Sequence, residues 1–361
     1  MPVRTILGTA LAVSLCCSGS SYAASDPHAH HGQHDHSGHH HGDTMLMGTH
    51  IHKQGDWMLS YRFMRMRMED SRNGTSAISP DTIVTTVANR FSALAGQPPT
   101  LRVVPTEMTT DMHMLGTMYG LSDGITLMAM LPYLEKEMDH VTYMGGTGTT
   151  VLGGFRTATS GIGDVRLKGL FRLHDDRTHH VHGIFGVSLP TGSNTETGAI
   201  LTPMGATPTI RLPYPMQPGS GTYDIIAGLT YTAMTDAMSW GAQYEATLRT
   251  GSDEGYTLGD VHKLTAWLGT RLQSAIGVAG RLSYLNVDNI DGIDPNIVAP
   301  VQTADPDRQG RERIDLTLEM NVSAGDGHRI GFEISRPLYQ DLDGPQLKSD
   351  LMFGVAYQKS F

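Results

Sequence analysis

The chemistry that stands out in this 361-residue chain is crowded near its beginning. His28, His30, His31, His34, His36, His39, His40 and His41 fall within fourteen residues, and His50 and His52 follow closely. Neutral imidazole suits Cu(II), Zn(II) and Ni(II), and an unperturbed histidine is mostly neutral at pH 7. His-x-His and His-His pairs chelate one ion in several registers. Copper or zinc is therefore the ion this tract would take, with no fixed geometry implied and no cofactor required elsewhere. Gly, Asp and Ser fill the gaps, a composition that cannot bury a core, so 24–55 reads as a disordered tail.

Methionine is the second unusual feature, with 21 in the chain. In a segment starting at Trp57, Met58, Met64, Met66 and Met68 share one face of a period-2 pattern, opposite Trp57, Leu59, Tyr61 and Phe63. A second segment sets Met108, Met112, Met114 and Met118 against Leu115, Tyr119 and Leu121. A third sets Met128 and Met130 against Leu127, Ala129 and Leu131. Three adjacent strands would thus present methionine on one surface. Thioethers are soft ligands for Cu(I). They also offer a deformable apolar surface, and they can simply pack against a loop or the N-terminal segment seated as a plug. All three readings stay open.

Other chemistry is sparse. Asp111 and His113 share a strand face, but no third partner can be assigned for catalysis, and no nucleophile motif occurs, so an enzyme is not expected. His179, His180 and His182 fall near a turn, where histidines are most often unliganded. The methionine-bearing phase of the remaining strands carries both signs of charge: Arg62, Arg166, Lys168, Arg172, Glu245, Arg249, Arg281, Arg313, Asp315, Glu319 and Glu333. These read as pairs that fill a narrow bore, with Arg62, Arg166 and Arg172 as candidate lining of a path.

The elements that must position these residues follow from pattern. Residues 1–23 have the order of a secretory signal: Arg4, an apolar stretch from Thr5 to Cys17, then Ser21-Tyr22-Ala23. Cys16 and Cys17 are the only cysteines, so the mature chain has no disulfide and no thiolate metal site. The formal charge is −10 and no basic arm or patch stands out, which argues against nucleic acid as a partner. No apolar run of ~20 residues occurs, so helical spans are excluded. Twelve alternating segments between Trp57 and Phe361 are instead separated by short and long connections in strict alternation. The short ones lie near 122–124, 175–179, 235–238, 274–276 and 325–328. The pattern predicts an all-β chain, with 56–361 forming a transmembrane antiparallel up-and-down β-barrel of about twelve strands, both ends periplasmic, in contact with outer-membrane lipid. Trp57, Tyr61, Tyr133, Trp240, Tyr244, Tyr284 and Tyr357 supply interface girdles.

Several short motifs carry a family likeness. They are Tyr119-Gly120-Leu121-Ser122-Asp123-Gly124 with Leu131-Pro132-Tyr133, Ser160-Gly161-Ile162-Gly163-Asp164, Gly186-Val187-Ser188-Leu189-Pro190-Thr191-Gly192-Ser193, and Gly219-Ser220-Gly221-Thr222-Tyr223-Asp224. In this order the chain resembles the outer-membrane β-barrel transporter family named for the MetA pathway of phenol degradation, over about 119–231. The resemblance implies a barrel that passes small molecules, often linked to catabolism of hydrophobic compounds, with no established substrate. The His tail and the Met-rich first strands depart from that pattern. They favour copper or another transition metal as cargo, with a channel for hydrophobic or aromatic compounds as the alternative, and a non-transporting metal-binding or structural barrel as a third reading. Physically, the glycines of these motifs permit tight turns, and Asp164 and Asp224 are placed to bond neighbouring backbone.

Overall fold

The computed structural model describes residues 46–361; the signal sequence and the histidines from His28 to His41 lie outside the described residues. Strand formation follows the alternation. In order, β1 is Trp57–Gly74, β2 Val103–Ser122, β3 Ile125–Tyr143, β4 Val165–Asp175, β5 His179–Leu189 and β6 Asp224–Met234. They are followed by β7 Met238–Arg249, β8 Val261–Gln273, β9 Ile276–Val287 and β10 Arg311–Ser323. The last extended stretch, His328–Ser360, pairs with β10 along one arm and with β1 along the other. Every neighbouring pair in the closed ring is antiparallel, and a ring with only antiparallel pairs needs an even number of strands. The chain therefore reverses inside this stretch, at Gly344, whose φ of 82° suits glycine. The arms are β11 (328–343) and β12 (345–360), and the barrel has twelve strands joined in sequence order.

The seam closes where the first strand meets the last. Met58 faces Ser360, Tyr61 faces Tyr357 and Met64 faces Gly354. The Phe361 amide donates to the Trp57 carbonyl at 2.8 Å. Closure removes every free edge at membrane depth, the condition for strands in lipid.

Along a belt around the barrel the outward phase of the strands is apolar and uncovered. Leu59, Leu115, Leu127, Phe185, Leu229, Leu264, Leu282, Leu318, Phe332 and Phe353 are all exposed, with Trp57, Tyr61, Tyr133, Tyr244, Tyr284 and Tyr357. An encircling apolar belt is the outer surface of a membrane barrel, since water-soluble chains avoid exposed apolar patches of this extent. No described helix is long and apolar enough to cross a membrane; the strands do so.

Three details differ from the sequence reading. β2 begins at Val103 and β3 runs to Tyr143, so this side of the barrel rises well above the rest. The long connection between β3 and β4 is largely a strand, Val151–Ile162, which pairs with the upper half of β3 while β4 pairs with its lower half. Residues 46–55, read as the end of a disordered tail, are seated inside the barrel.

At the long-loop end the connections pack on one another. The short helix α1 (Pro80–Thr86), capped by the Ser79 hydroxyl, buries Ile83 and Val84 with Leu101, Val104 and Tyr143. Tyr214, Tyr256, Ile290, Ile297 and Val301 from three other loops form a second cluster. Arg102 is fully buried, and its guanidinium donates to the carbonyls of Met144, Gly145, Thr147 and Gly148. Burial lowers its pKa, and no carboxylate compensates; four carbonyl dipoles hold the charge.

A methionine-lined path and an internal plug

The phase on which every functional reading depends is settled by burial. The aromatic and aliphatic faces of β1 to β3 point outward, and the methionine face points into the bore. Met58, Met118, Met128 and Met130 are buried there, while Met64, Met66, Met68, Met112 and Met114 are half-buried.

The methionines divide into two levels. Near the short-turn end, Met58, Met118, Met128 and Met130 pack with Leu170 and Ile184 around Met47 and Ile51 of the N-terminal segment. Above them, Met64, Met66, Met68, Met108, Met112 and Met114 line a cavity of about 640 Å³. The lower set serves as packing for a plug and the upper set is an apolar wall, with Met130 belonging to both because it also lines the cavity.

Residues 46–56 cross the bore. The Met47 sulfur accepts from the Ser60 hydroxyl of β1 at 3.8 Å and from the Gln358 amide of β12 at 3.9 Å. The very next carbonyl, of Gly48, accepts from His182 Nε2 of β5 at 2.9 Å and from Gln243 Nε2 of β7 at 3.4 Å. β1 and β7 lie on opposite sides of a ring of twelve, so two consecutive residues touch both walls. Further along, the His52 amide donates to Thr126 Oγ1 at 2.8 Å, the Gly55 amide donates to the Gly120 carbonyl at 2.8 Å, and the Gly120 amide donates to the Asp56 carbonyl at 2.9 Å. Gly120 has a steric duty here: a Cβ would stand 1.8 Å from the Lys53 carbonyl oxygen. The plug seats because Met47 and Ile51 find an apolar floor and its backbone groups find partners on the wall.

His50 and His52 therefore sit in the plug, their rings 4.7 Å apart. His52 is buried and its Nε2 has no hydrogen-bond partner among the described residues. Burial lowers its pKa; Asp56 opposes that shift and Arg329 reinforces it. The ring is neutral at pH 7.

The charged residues of the opposite wall are paired. Glu333 accepts from Arg62 at 2.6 Å and from Arg281 at 2.5 Å, and Arg281 also reaches Glu319 at 3.4 Å. Lys168 meets Glu245 at 2.6 Å, and Arg313 meets Asp315 at 2.9 Å. Arg62 is thus a strut between β1 and β11 and does not line the cavity. Arg172 is not on the path either. It is exposed beside the short turn after β4, held to Asp175 at 2.8 Å, because its strand ends there. Arg166 does face the cavity, with no ion pair among the described residues.

Two further expectations resolve geometrically. Asp111 and His113 point outward, bound to Arg65 and to the Tyr61 hydroxyl, and form no catalytic pair. His179, His180 and His182 diverge to Tyr231, Asp175 and Gly48 and do not converge on an ion. A cluster that the pattern did not reveal is Asp260, His262 and Asp288 at the long-loop rim, with ligand atoms within 4.8 Å of one another. Only folding brings β8 and the end of β9 together there. His262 Nδ1 is engaged by the Tyr244 hydroxyl at 2.8 Å, and the Asp260 carboxylate accepts the Arg249 amide at 2.7 Å.

The cavity is roofed by an inward loop before β6. Lys136 of β3 donates to the carbonyls of Pro215 and Gln217 at 2.8 and 2.6 Å, and Met216 is buried with Met108 and Met138. This loop is anchored where three of the short sequence motifs meet. The Asp164 carboxylate accepts the amides of Gly192 at 3.0 Å and Ser220 at 2.8 Å, and Thr191 Oγ1 donates to the Gly163 carbonyl at 2.8 Å. Gly192 and Gly219 lie in backbone contact. Asp224 accepts from Thr222 at 2.7 Å and Arg249 at 2.5 Å. The motifs are thus the joint between wall and loop.

The fold has clear relatives among solved structures. It is similar to the COG4313 outer membrane channel from Pseudomonas putida F1, with a TM-score of 0.56 and 12% identity over 88% of this chain and 99% of that one. The chain has the fold of an outer-membrane channel. Weaker likenesses are to the Pseudomonas putida toluene transporter TodX (TM-score 0.41, 10% identity, 85% of this chain and 90% of that one) and a Pseudomonas aeruginosa FadL homologue (TM-score 0.42, 10% identity, 84% and 90%). No protein-family model and no curated protein matches the sequence.

Proposed function

We propose that this chain is an outer-membrane channel for small, largely apolar molecules, held closed near its short-turn end by its own residues 46–56. One observation carries the reading: a methionine wall borders a cavity of about 640 Å³, inside a bore that the plug crosses from wall to wall. Unbranched thioether side chains adapt to ligands of varied shape, and a cavity of this size suits a small organic molecule. By the usual orientation of such barrels the short turns, and with them the plug, face the periplasm. The test is planar-bilayer recording of the refolded protein with and without residues 24–55. The truncated form is expected to conduct and the full chain to conduct little; silence from both would remove the channel reading.

A second reading is favoured by His50 and His52. A transition metal, copper or zinc, bound by these rings together with the upstream histidines would pull on the plug and open the channel. The neutral, unpartnered Nε2 of His52 is the group that supports it. Micromolar Cu(II) or Zn(II) added to the short-turn side is expected to raise conductance of the full chain and leave the truncated form unchanged. No response would confine metal to a passive role on the tail.

A further inference from the structure

The cavity that the methionines border is not uniformly apolar. Five cationic side chains line it, Lys136, Arg166, Arg249, Arg311 and Arg313, against two carboxylates, Asp164 and Asp288. Most of these are committed. Lys136 is spent on two loop carbonyls, Arg249 on Asp224, and Arg313 on Asp315 and the Ser349 hydroxyl. Both Asp164 oxygens accept loop amides, and Asp288 is exposed at the rim. The nearby Glu245 is taken by Lys168 at 2.6 Å. Arg311 gives one nitrogen to the Gln309 carbonyl. Arg166 is the cavity cation for which no hydrogen bond or ion pair is found among the described residues.

Its position is specific. Arg166 lies directly across the ladder from Met130 on one side and from Ser188 on the other, and all three line the cavity. Met112 and Met114 border the same space from the next strand. A half-buried guanidinium with open donors thus stands at the edge of an apolar wall. Guanidinium presents a planar fork that matches a carboxylate bidentately. We propose that the cavity binds a small amphipathic monoanion, an aryl or alkyl carboxylate, with its carboxylate on Arg166 and its apolar body against Met112, Met114 and Met130. This rests on the channel reading above and names its substrate class.

The experiment compares an acid with its neutral isostere. Equilibrium dialysis of the full-length protein in non-ionic detergent would measure phenylacetate and 2-phenylethanol, each corrected for detergent alone. Phenylacetate is expected to bind saturably and about tenfold more tightly than the alcohol, the scale of a charge-assisted hydrogen bond. Arg166→Gln is expected to abolish that preference while retaining weak binding of the alcohol, and Arg166→Lys to restore part of it. Heat-modifiable gel mobility establishes that each variant is folded; should Arg166→Gln not fold, the wild-type comparison still decides. Equal binding of acid and alcohol by the wild type, or an undiminished preference in folded Arg166→Gln, would overturn the carboxylate assignment and leave the apolar path standing. Binding of neither compound would remove the apolar path and this proposal together.

Discussion

The two halves of the bore solve the same problem differently. From β1 to β3 the inward positions are filled with methionine; from β8 to β11 they carry Lys263, Arg281, Arg313, Asp315, Glu319 and Glu333. Both sets sit on strands of the same alternation, and both are hidden from lipid. The charged half is cross-braced: Arg281 bonds Glu319 and Glu333, and Arg62 joins β1 to that brace. The methionine half is held by contacts without direction. Paired charges in a low-dielectric bore fix their neighbours, because moving one strands another. Methionines slide over one another at little cost. The braced side therefore keeps the barrel in shape, and the soft side accommodates what enters, whether the plug below or a solute above.

The comparison can be broken by removing what lies between the halves. Deleting residues 24–55 is expected to give the largest effect, a conductance rise of more than an order of magnitude in bilayer recordings. Gly120→Ala probes the same contact with one methyl group. Its Cβ would collide with the Lys53 carbonyl, so the variant is expected to open like the deletion while its barrel stays heat-modifiable on gels. A closed Gly120→Ala channel would show that the plug is held by something other than its fit at the mouth.

The next effect separates the halves by stability. Arg281→Ala leaves two buried carboxylates without their shared cation, and is expected to cost about 3 kcal/mol, read as a lowered urea midpoint. Met112→Leu on the soft wall conserves volume and is expected to cost less than about 1.5 kcal/mol. Equal costs would contradict the division between brace and wall.

A smaller effect concerns pH. The His52 pKa is lowered in the seated plug from the ordinary value of 6.5. A depressed pKa contributes stability that is fully present above the ordinary value and is lost as pH falls through the depressed one. Acidification from pH 7.5 toward 5 is therefore expected to favour release of the plug and raise conductance several-fold, and His52→Leu to remove that response.

Much of this was legible in the sequence. The alternation of most strands followed from Leu, Phe and Tyr at every second position, and twelve strands followed from short and long connections in turn; which face meets lipid did not, since a barrel with an inward apolar face alternates in the same way. The joint at Asp164 was legible as motifs, though not as a joint, because Asp164, Gly192 and Ser220 are separated along the chain. The three meanings of the methionines could not be separated by pattern, since Met58 and Met64 share a face and differ only in height. Arg172 reads like Arg166 by phase, yet one meets solvent at the rim and the other a cavity.

By itself the sequence determined periodicity, and with it a sheet with one greasy face, because side chains alternate sides along a regular strand. Only the tertiary structure decided that Met47 and Gly48 bridge opposite walls, that Arg62 is a strut and that Arg166 stands open beside Met130. Those facts depend on which strands face each other across the bore and at what height. Ring closure and register fix both through contacts between residues far apart in the chain, which no local pattern records.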